Sequence, residues 1–182
     1  PKMVQFQVHK NDITQTRLVA SGDQADAFDL GDSEILVKVE RFSFTANNVT
    51  YGAIGEQIGY WQFFPPALNA GDSAEDWGIV PVWGFAEVVV SHHDAISVGE
   101  RFYGYFPMAN YLKMQPDRIA DDRLVDGAAH RADLPAVYNN YDRLGGAVGN
   151  PTQDNLRALL NPLYGTSFCL CDALQEEDFR GA

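Results

Sequence analysis

The sequence predicts a mainly β chain with peripheral helices, and three observations carry that prediction. Ile35 to Phe44 alternates over a length typical of a half-buried strand. Gly78 to Ser91 and Arg101 to Met114 supply further extended runs rich in valine and aromatic residues, broken by Pro107. Leucines recur at helical spacing only late, at Leu156, Leu159, Leu160 and Leu163.

Met3 to Val8 reads as the first strand, with Met3, Gln5 and Gln7 on one side and Val4, Phe6 and Val8 on the other. Asn11-Asp12 marks a turn and Thr16 to Ala20 its return strand. Ser21 to Ser33, rich in Asp, Gly and Ala, reads as a solvated connection. In the next strand Ile35, Val37 and Val39 share one face, and Leu36 sits opposite with Lys38 and Glu40. From Ala46 the period of two fails, and Asn47, Asn48, Gly52 and Gly55 predict a turn or short helix. Gly59 to Asp76 reads as an exposed excursion or, on its plainer reading, as a loop pinned by Trp61, Phe63 and Phe64.

Gly84 within the long strand predicts a bulge or a close backbone approach. Asp117 to Gly149 lacks a period and is too long for an ordinary loop, which predicts some helix or an ordered wrap inside it. Thr152 reads as a hydroxyl cap, Pro162 as a break or a kink, and Leu163 to about Glu177 as a second helix. Two units follow: 1–150 as a mainly β domain, irregular at about 117–150, and 151–182 as a helical segment.

With 182 residues the chain suits one domain and a short appendage. The formal charge of -12 and the scattered Lys and Arg argue against nucleic acid as a partner. No apolar run approaches the roughly eighteen residues of a membrane helix, and no leader of the signal-peptide type is seen, so a cytoplasmic protein is expected. Cys169 and Cys171, two apart on a helix, diverge and read as buried small hydrophobes in a reducing compartment. His92-His93-Asp94 reads as a solvated turn, and His9 and His130 as surface or hydrogen-bonded residues.

Glu34-Ile-Leu-Val-Lys-Val-Glu40, Pro81-Val-Trp-Gly-Phe-Ala-Glu-Val-Val-Val90 and Val98-Gly-Glu-Arg-Phe-Tyr-Gly-Tyr-Phe106 occur in the order and spacing of one known domain. The chain resembles the substrate-side domain of medium-chain dehydrogenases and quinone reductases. That resemblance implies a GroES-like, partly open β-barrel over 1–150, with 151–182 as the helical junction to a nucleotide-binding Rossmann partner that lies outside this chain, Gly181-Ala182 standing where its first strand would begin. The cluster Gly145-Gly146-Ala-Val-Gly149 lacks the order of a dinucleotide fingerprint. Arg101 to Pro107, Leu134 to Tyr141 and Asn161 to Phe168 also resemble a bacterial family of unknown function, itself a divergent relative of these reductases.

The resemblance also implies where chemistry would sit. Thr45 stands where zinc alcohol dehydrogenases place a cysteine ligand, and Trp83-Gly84-Phe85 covers their His-Glu pair, so no zinc is expected. In the quinone reductase branch Asn48 and Thr45 would occupy the places of an Asp and an Asn that steady a substrate carbonyl. Asn47 would join them. On their plainer reading these amides cap a helix or hold a turn.

Tyr51 and Tyr164 are candidates for proton delivery or for stacking on a planar substrate, with core packing as the alternative, and Trp83 joins them as substrate-binding. Thr166, in the Tyr164-Gly-Thr-Ser-Phe168 segment, would face the nicotinamide carboxamide or serve as a cap. The resemblance implies NADPH in the full-length protein, no cofactor in this piece alone, and a small-molecule carbonyl or quinone as substrate. A non-catalytic ligand-binding or assembly module, and a homodimer, stay open.

Overall fold

A computed structural model describes residues 2–21, 29–145 and 149–176. It is mainly β, with a seven-stranded antiparallel sheet that curls into a half-barrel and a smaller three-stranded sheet beside it. The strands are β1 (Met3–His9), β2 (Asp12–Ser21), β3 (Ile35–Phe42), β4 (Trp77–Gly78), β5 (Pro81–Ser91), β6 (Arg101–Pro107), β7 (Tyr111–Met114), β8 (Pro116–Ile119), β9 (Arg123–Asp126) and β10 (Asn140–Arg143). The large sheet runs β7-β3-β5-β6-β10-β9-β8 and the small one β2-β1-β4. Among the described residues three helices accompany them: α1 (Ala46–Ala53), α2 (Gly55–Ile58) and α3 (Pro151–Glu176).

The core follows from the alternation. Ile35, Val37, Val82, Val88, Phe102 and Phe106 are wholly excluded from solvent. Leu36, on the opposite face of β3, is buried as well, because β3 lies inside the sheet between β7 and β5. Curling depends on one rung where Gly84 of β5 pairs with Gly104 of β6. A Cβ at Gly84 would overlap the Arg41 carbonyl oxygen, and one at Gly104 the Tyr141 ring. Of the two alternatives for Gly84 the close backbone approach is the one observed, and the bulge beside it lies on β3, where the register shifts between Val39 and Arg41.

On β1 residues of both faces are buried, Gln5 and Gln7 on one and Val8 on the other. Gln7 is fully buried and Gln5 nearly so. Gln7 Nε2 donates to Gln5 Oε1 (3.1 Å) and to the Ala67 carbonyl (2.7 Å), while Ala67 N donates to Gln5 Oε1 (2.7 Å). Arg17 Nε and Nη2 donate to Gln7 Oε1 at 3.0 and 2.9 Å, and the same guanidinium grips Asp72. Each buried amide is therefore satisfied, which removes the desolvation penalty such groups otherwise carry. These bonds tie down the segment after Phe64.

The Gly59–Asp76 excursion is buried in its aromatic part, with Trp61, Phe63 and Phe64 at 5%, 1% and 2% exposure, and exposed further on, at Leu68 to Gly71 and Ala74 to Asp76. The plainer reading, a loop pinned by its aromatics, describes it. The Trp61 indole occupies space that Cβ atoms would need at Gly55 and Gly78, with its Nε1 only 2.6 Å from the Cβ position of Gly55.

The 117–149 stretch holds three short strands, β8, β9 and β10, and two 3-10 turns at Ala129–Arg131 and Ala136–Asn139. The ordered wrap expected there is thus a β meander. Its four-residue strands are too short for a periodic pattern to show. Gly146, Ala147 and Val148 of the glycine cluster lie outside the described residues, as do 22–28 of the β2–β3 connection and Gly181-Ala182.

At the C-terminal end one helix replaces the two expected. Its cap is Asn150 rather than Thr152: Asn150 Oδ1 accepts from the backbone N–H of Thr152 (3.0 Å) and Gln153 (3.3 Å). Arg101 fixes the first turn by pairing with Asp154 (2.9 Å) and with Glu40 on β3 (2.8 Å). Pro162 does not end the helix. Lacking an N–H, it leaves the Ala158 carbonyl without its helical partner, and Ser43 Oγ donates to that oxygen at 2.9 Å. Cys169 and Cys171 are exposed, not buried, because only the beginning of α3 packs on the sheet, through Asp154 and Ala158.

Candidate functional site

β5 and β6 carry an aromatic ladder. Trp83 pairs with Tyr105 and Phe85 with Tyr103 across the two strands, a cross-strand arrangement that aromatic side chains favour. Trp83 stacks on Tyr103 with centroids 5.8 Å apart and planes at 25°. Tyr138, from the 3-10 turn before β10, lies 4.6 Å from Tyr105, and Tyr51 of α1 packs 4.4 Å from Tyr60. The result is one continuous aromatic wall.

Against that wall lies α3, and an open groove of about 510 Å³ separates them. Tyr51, Trp83, Tyr103 and Tyr138 line one side, and Pro162, Gly165, Thr166 and Cys169 the other. Among the described residues no charged side chain lines it. A narrow recess of about 10 Å³ adjoins it, bounded by Thr45, Asn47 and Asn48 and sharing Tyr51, Trp83 and Pro162 with the groove. A second hollow, of about 580 Å³, is lined by Val4, Phe6, Leu18, Val39, Phe42 and Met108 among others. Asn110 on its rim is occupied with Val4 N and the Lys2 carbonyl, so the chemistry-bearing groups converge in the first groove.

The expected site residues divide accordingly. Tyr51, Trp83 and Thr166 meet in the groove, and Thr45, Asn47 and Asn48 meet at the recess beside it. Tyr164 stands apart, 67% exposed on α3. Thr166 Oγ1 donates to the Pro162 carbonyl at 3.0 Å, which leaves its lone pairs to accept.

Asn48 is buried, and both ends of its amide hold structure: Oδ1 accepts from Thr45 N (2.7 Å) and Nδ2 donates to the Pro81 carbonyl (2.9 Å). The capping function weighed for these amides is thus present at Asn48, while Asn47 is exposed. Replacing Asn48 by aspartate removes the donor and sets a carboxylate against a carbonyl. The Asn48→Asp variant is expected to lose about 1–3 kcal/mol at neutral pH in urea denaturation. Burial raises such a carboxyl's pKa, so the deficit should shrink as pH falls and the protonated form can donate to Pro81 again.

Burial holds the hydroxyls of Tyr51, Tyr60, Tyr103 and Tyr105 above the usual tyrosine range, so all remain neutral donors at physiological pH. Tyr60 and Tyr138 share one hydrogen bond at 3.0 Å. The Tyr105 hydroxyl is buried without a hydrogen-bond partner. Tyr60, Tyr103, Tyr105, Tyr138 and Gly165 were not among the expected site residues. The period-two placement of Tyr103 and Tyr105 in one strand was the available signal, but nothing local indicates that α1 and α3 close over that face. Among the described residues no three His, Cys, Asp or Glu side chains gather as metal ligands, and no helix is long and apolar enough to cross a membrane.

Curled sheet and helix-walled groove together define a mainly β domain with an aromatic cleft whose described lining carries no charge. The chain belongs to the family described as "Protein of unknown function (DUF2855)", whose model matches residues 42–182. No curated protein matches it.

Proposed function

We propose that this chain is the GroES-like, substrate-side domain of a zinc-independent, NAD(P)H-dependent reductase of enones or quinones, related to the medium-chain dehydrogenases and reductases and cytoplasmic. The observation that carries the reading is the meeting of Tyr51, Trp83 and Thr166, named from the motif resemblance, in one groove. Thr166 lies where its free lone pairs suit a carboxamide N–H, and the flat, uncharged groove suits a nicotinamide ring. The bound dinucleotide would supply hydride to the conjugated carbon of the substrate.

In this reading the chain's own residues bind, orient and protonate. Trp83 offers a flat surface for the conjugated system, held by Tyr103 stacked against it. Tyr51, neutral because it is half-buried, donates a hydrogen bond to the carbonyl oxygen as negative charge grows there, and relays one proton from solvent. Hydride and proton together give the saturated carbonyl, or the quinol from a quinone. Thr45 and Asn47 flank the recess that leads to this oxygen, and Asn48 contributes chiefly by holding α1 in place. By itself the chain is expected to be inactive.

The test is NADPH-dependent turnover of enones and quinones by the full-length protein, followed at the dihydronicotinamide absorbance. Tyr51→Phe should lower kcat/KM by about 10²–10⁴. Silence of the wild-type protein across a broad panel that includes both classes would discard the enzyme. A second reading, a non-catalytic ligand-binding or assembly module, draws support from the commitment of both ends of the Asn48 amide to structure. It predicts ligand binding in the groove without turnover.

A further inference from the structure

Glycine favours the helix less than any residue but proline, because it has the most conformational freedom to lose. It is kept inside a helix where a neighbour approaches closely or the backbone needs a positive φ. Gly165 stands well inside α3 and meets neither condition: a Cβ placed there has no heavy atom within 4 Å, and its φ is not positive. Alanine would fit and would favour the helix. What Gly165 does is line the groove, opposite Trp83 and Tyr138.

We infer that Gly165 is a specificity residue whose missing side chain keeps the gap between α3 and the aromatic wall open for a flat, uncharged ring bearing a carbonyl. Stacking on Trp83 and Tyr138 rewards planarity. The absence of charged lining groups disfavours ionised ligands, since none would compensate their desolvation. Tyr51, Tyr60 and Tyr138 supply three phenolic protons for one internal bond, so a ligand acceptor finds a donor free. The inference rests on the reductase reading only for the bound ring being a substrate.

Titration calorimetry of the 182-residue chain with 1-tetralone, with the non-planar bicyclic 1-decalone and with nicotinamide tests it. The two ketones share an acceptor and a ring size but differ in flatness. We expect tetralone to bind about tenfold tighter than decalone, and nicotinamide, which is flat and bears a carbonyl too, to bind the parent and to lose affinity in Gly165→Leu. Gly165→Leu should weaken tetralone by about tenfold or more, and Gly165→Ala by less, both with a thermal midpoint at or above the parent's. Equal affinity for the two ketones, no binding of tetralone, or a Gly165→Leu variant that binds as the parent does would each overturn the inference. The two readings fail separately. Tetralone binding with no turnover in the full-length protein sinks the reductase, whereas equal turnover of flat and puckered enones sinks the role of Gly165.

Discussion

Replacing Arg131 by methionine is expected to destabilise the protein by about 3–5 kcal/mol, measured by urea denaturation. Its guanidinium is 1% exposed and pairs with Asp126, whose side chain is fully buried. Arg131 Nη1 also donates to Tyr141 Oη (3.0 Å), and Tyr141 Oη donates to the Tyr105 carbonyl (2.6 Å). Asp126 accepts in addition from the backbone N–H of Gln115 (3.0 Å) and Ala128 (3.1 Å).

The network thus joins the end of β9, the 3-10 turn that follows it, β10 and β6. Removing the cation strands a carboxylate in the interior, which costs more than the pair contributed. Pairing the change with Asp126→Asn keeps the acceptor for both backbone groups and removes the stranded charge. The Asp126→Asn/Arg131→Met double variant should therefore be more stable than Arg131→Met alone. A double variant no more stable than the single one would show that packing of the guanidinium stem, not the charge, sets the cost.

Trp61→Ala should cost about 3–5 kcal/mol, the range for deleting a buried aromatic side chain. The indole fills a space bounded by Gly55 and Gly78, with Gly52 at van der Waals distance. Rigid backbone on these sides limits collapse of the cavity, which places the expected loss high in that range. Gly78→Ala alone should also destabilise, since the new Cβ would overlap the indole. In the Trp61→Ala background the same methyl enters empty space and should cost far less. A thermodynamic cycle on the four proteins measures this coupling, and simple additivity of the two losses would contradict the packing described.

Both experiments bear on what local pattern can reveal. The strands Ile35–Phe42, Pro81–Ser91 and Arg101–Pro107 were legible because alternating side chains report a sheet with a buried face. The short helix at Ala46–Ala53 was legible as a break in that period. By contrast, β8, β9 and β10 hold four residues each. Arg131 carries no mark of burial in its neighbours, since the carboxylate that neutralises it arrives with the tertiary fold. The burial of Gln5 and Gln7 was not legible for the same reason: their partners Ala67 and Arg17 come from other parts of the chain.

The site divides along the same line. Motif order and residue type placed Tyr51, Trp83 and Thr166 at one site, and the groove contains all three. They also placed Tyr164 there, but its position in the helical repeat turns it to solvent.

Taken alone, the sequence determined the β character of the chain, the main strands and the location of the break after β3, because each is written in the local period of side-chain polarity. Tertiary structure alone decided that α3 runs on through Pro162, that the Trp61 segment is core, and that α3 faces an aromatic wall across a groove. Each depends on a partner distant in sequence: a Ser43 hydroxyl for the Ala158 carbonyl, glycine backbone for an indole, and strands β5 and β6 for the beginning of a helix.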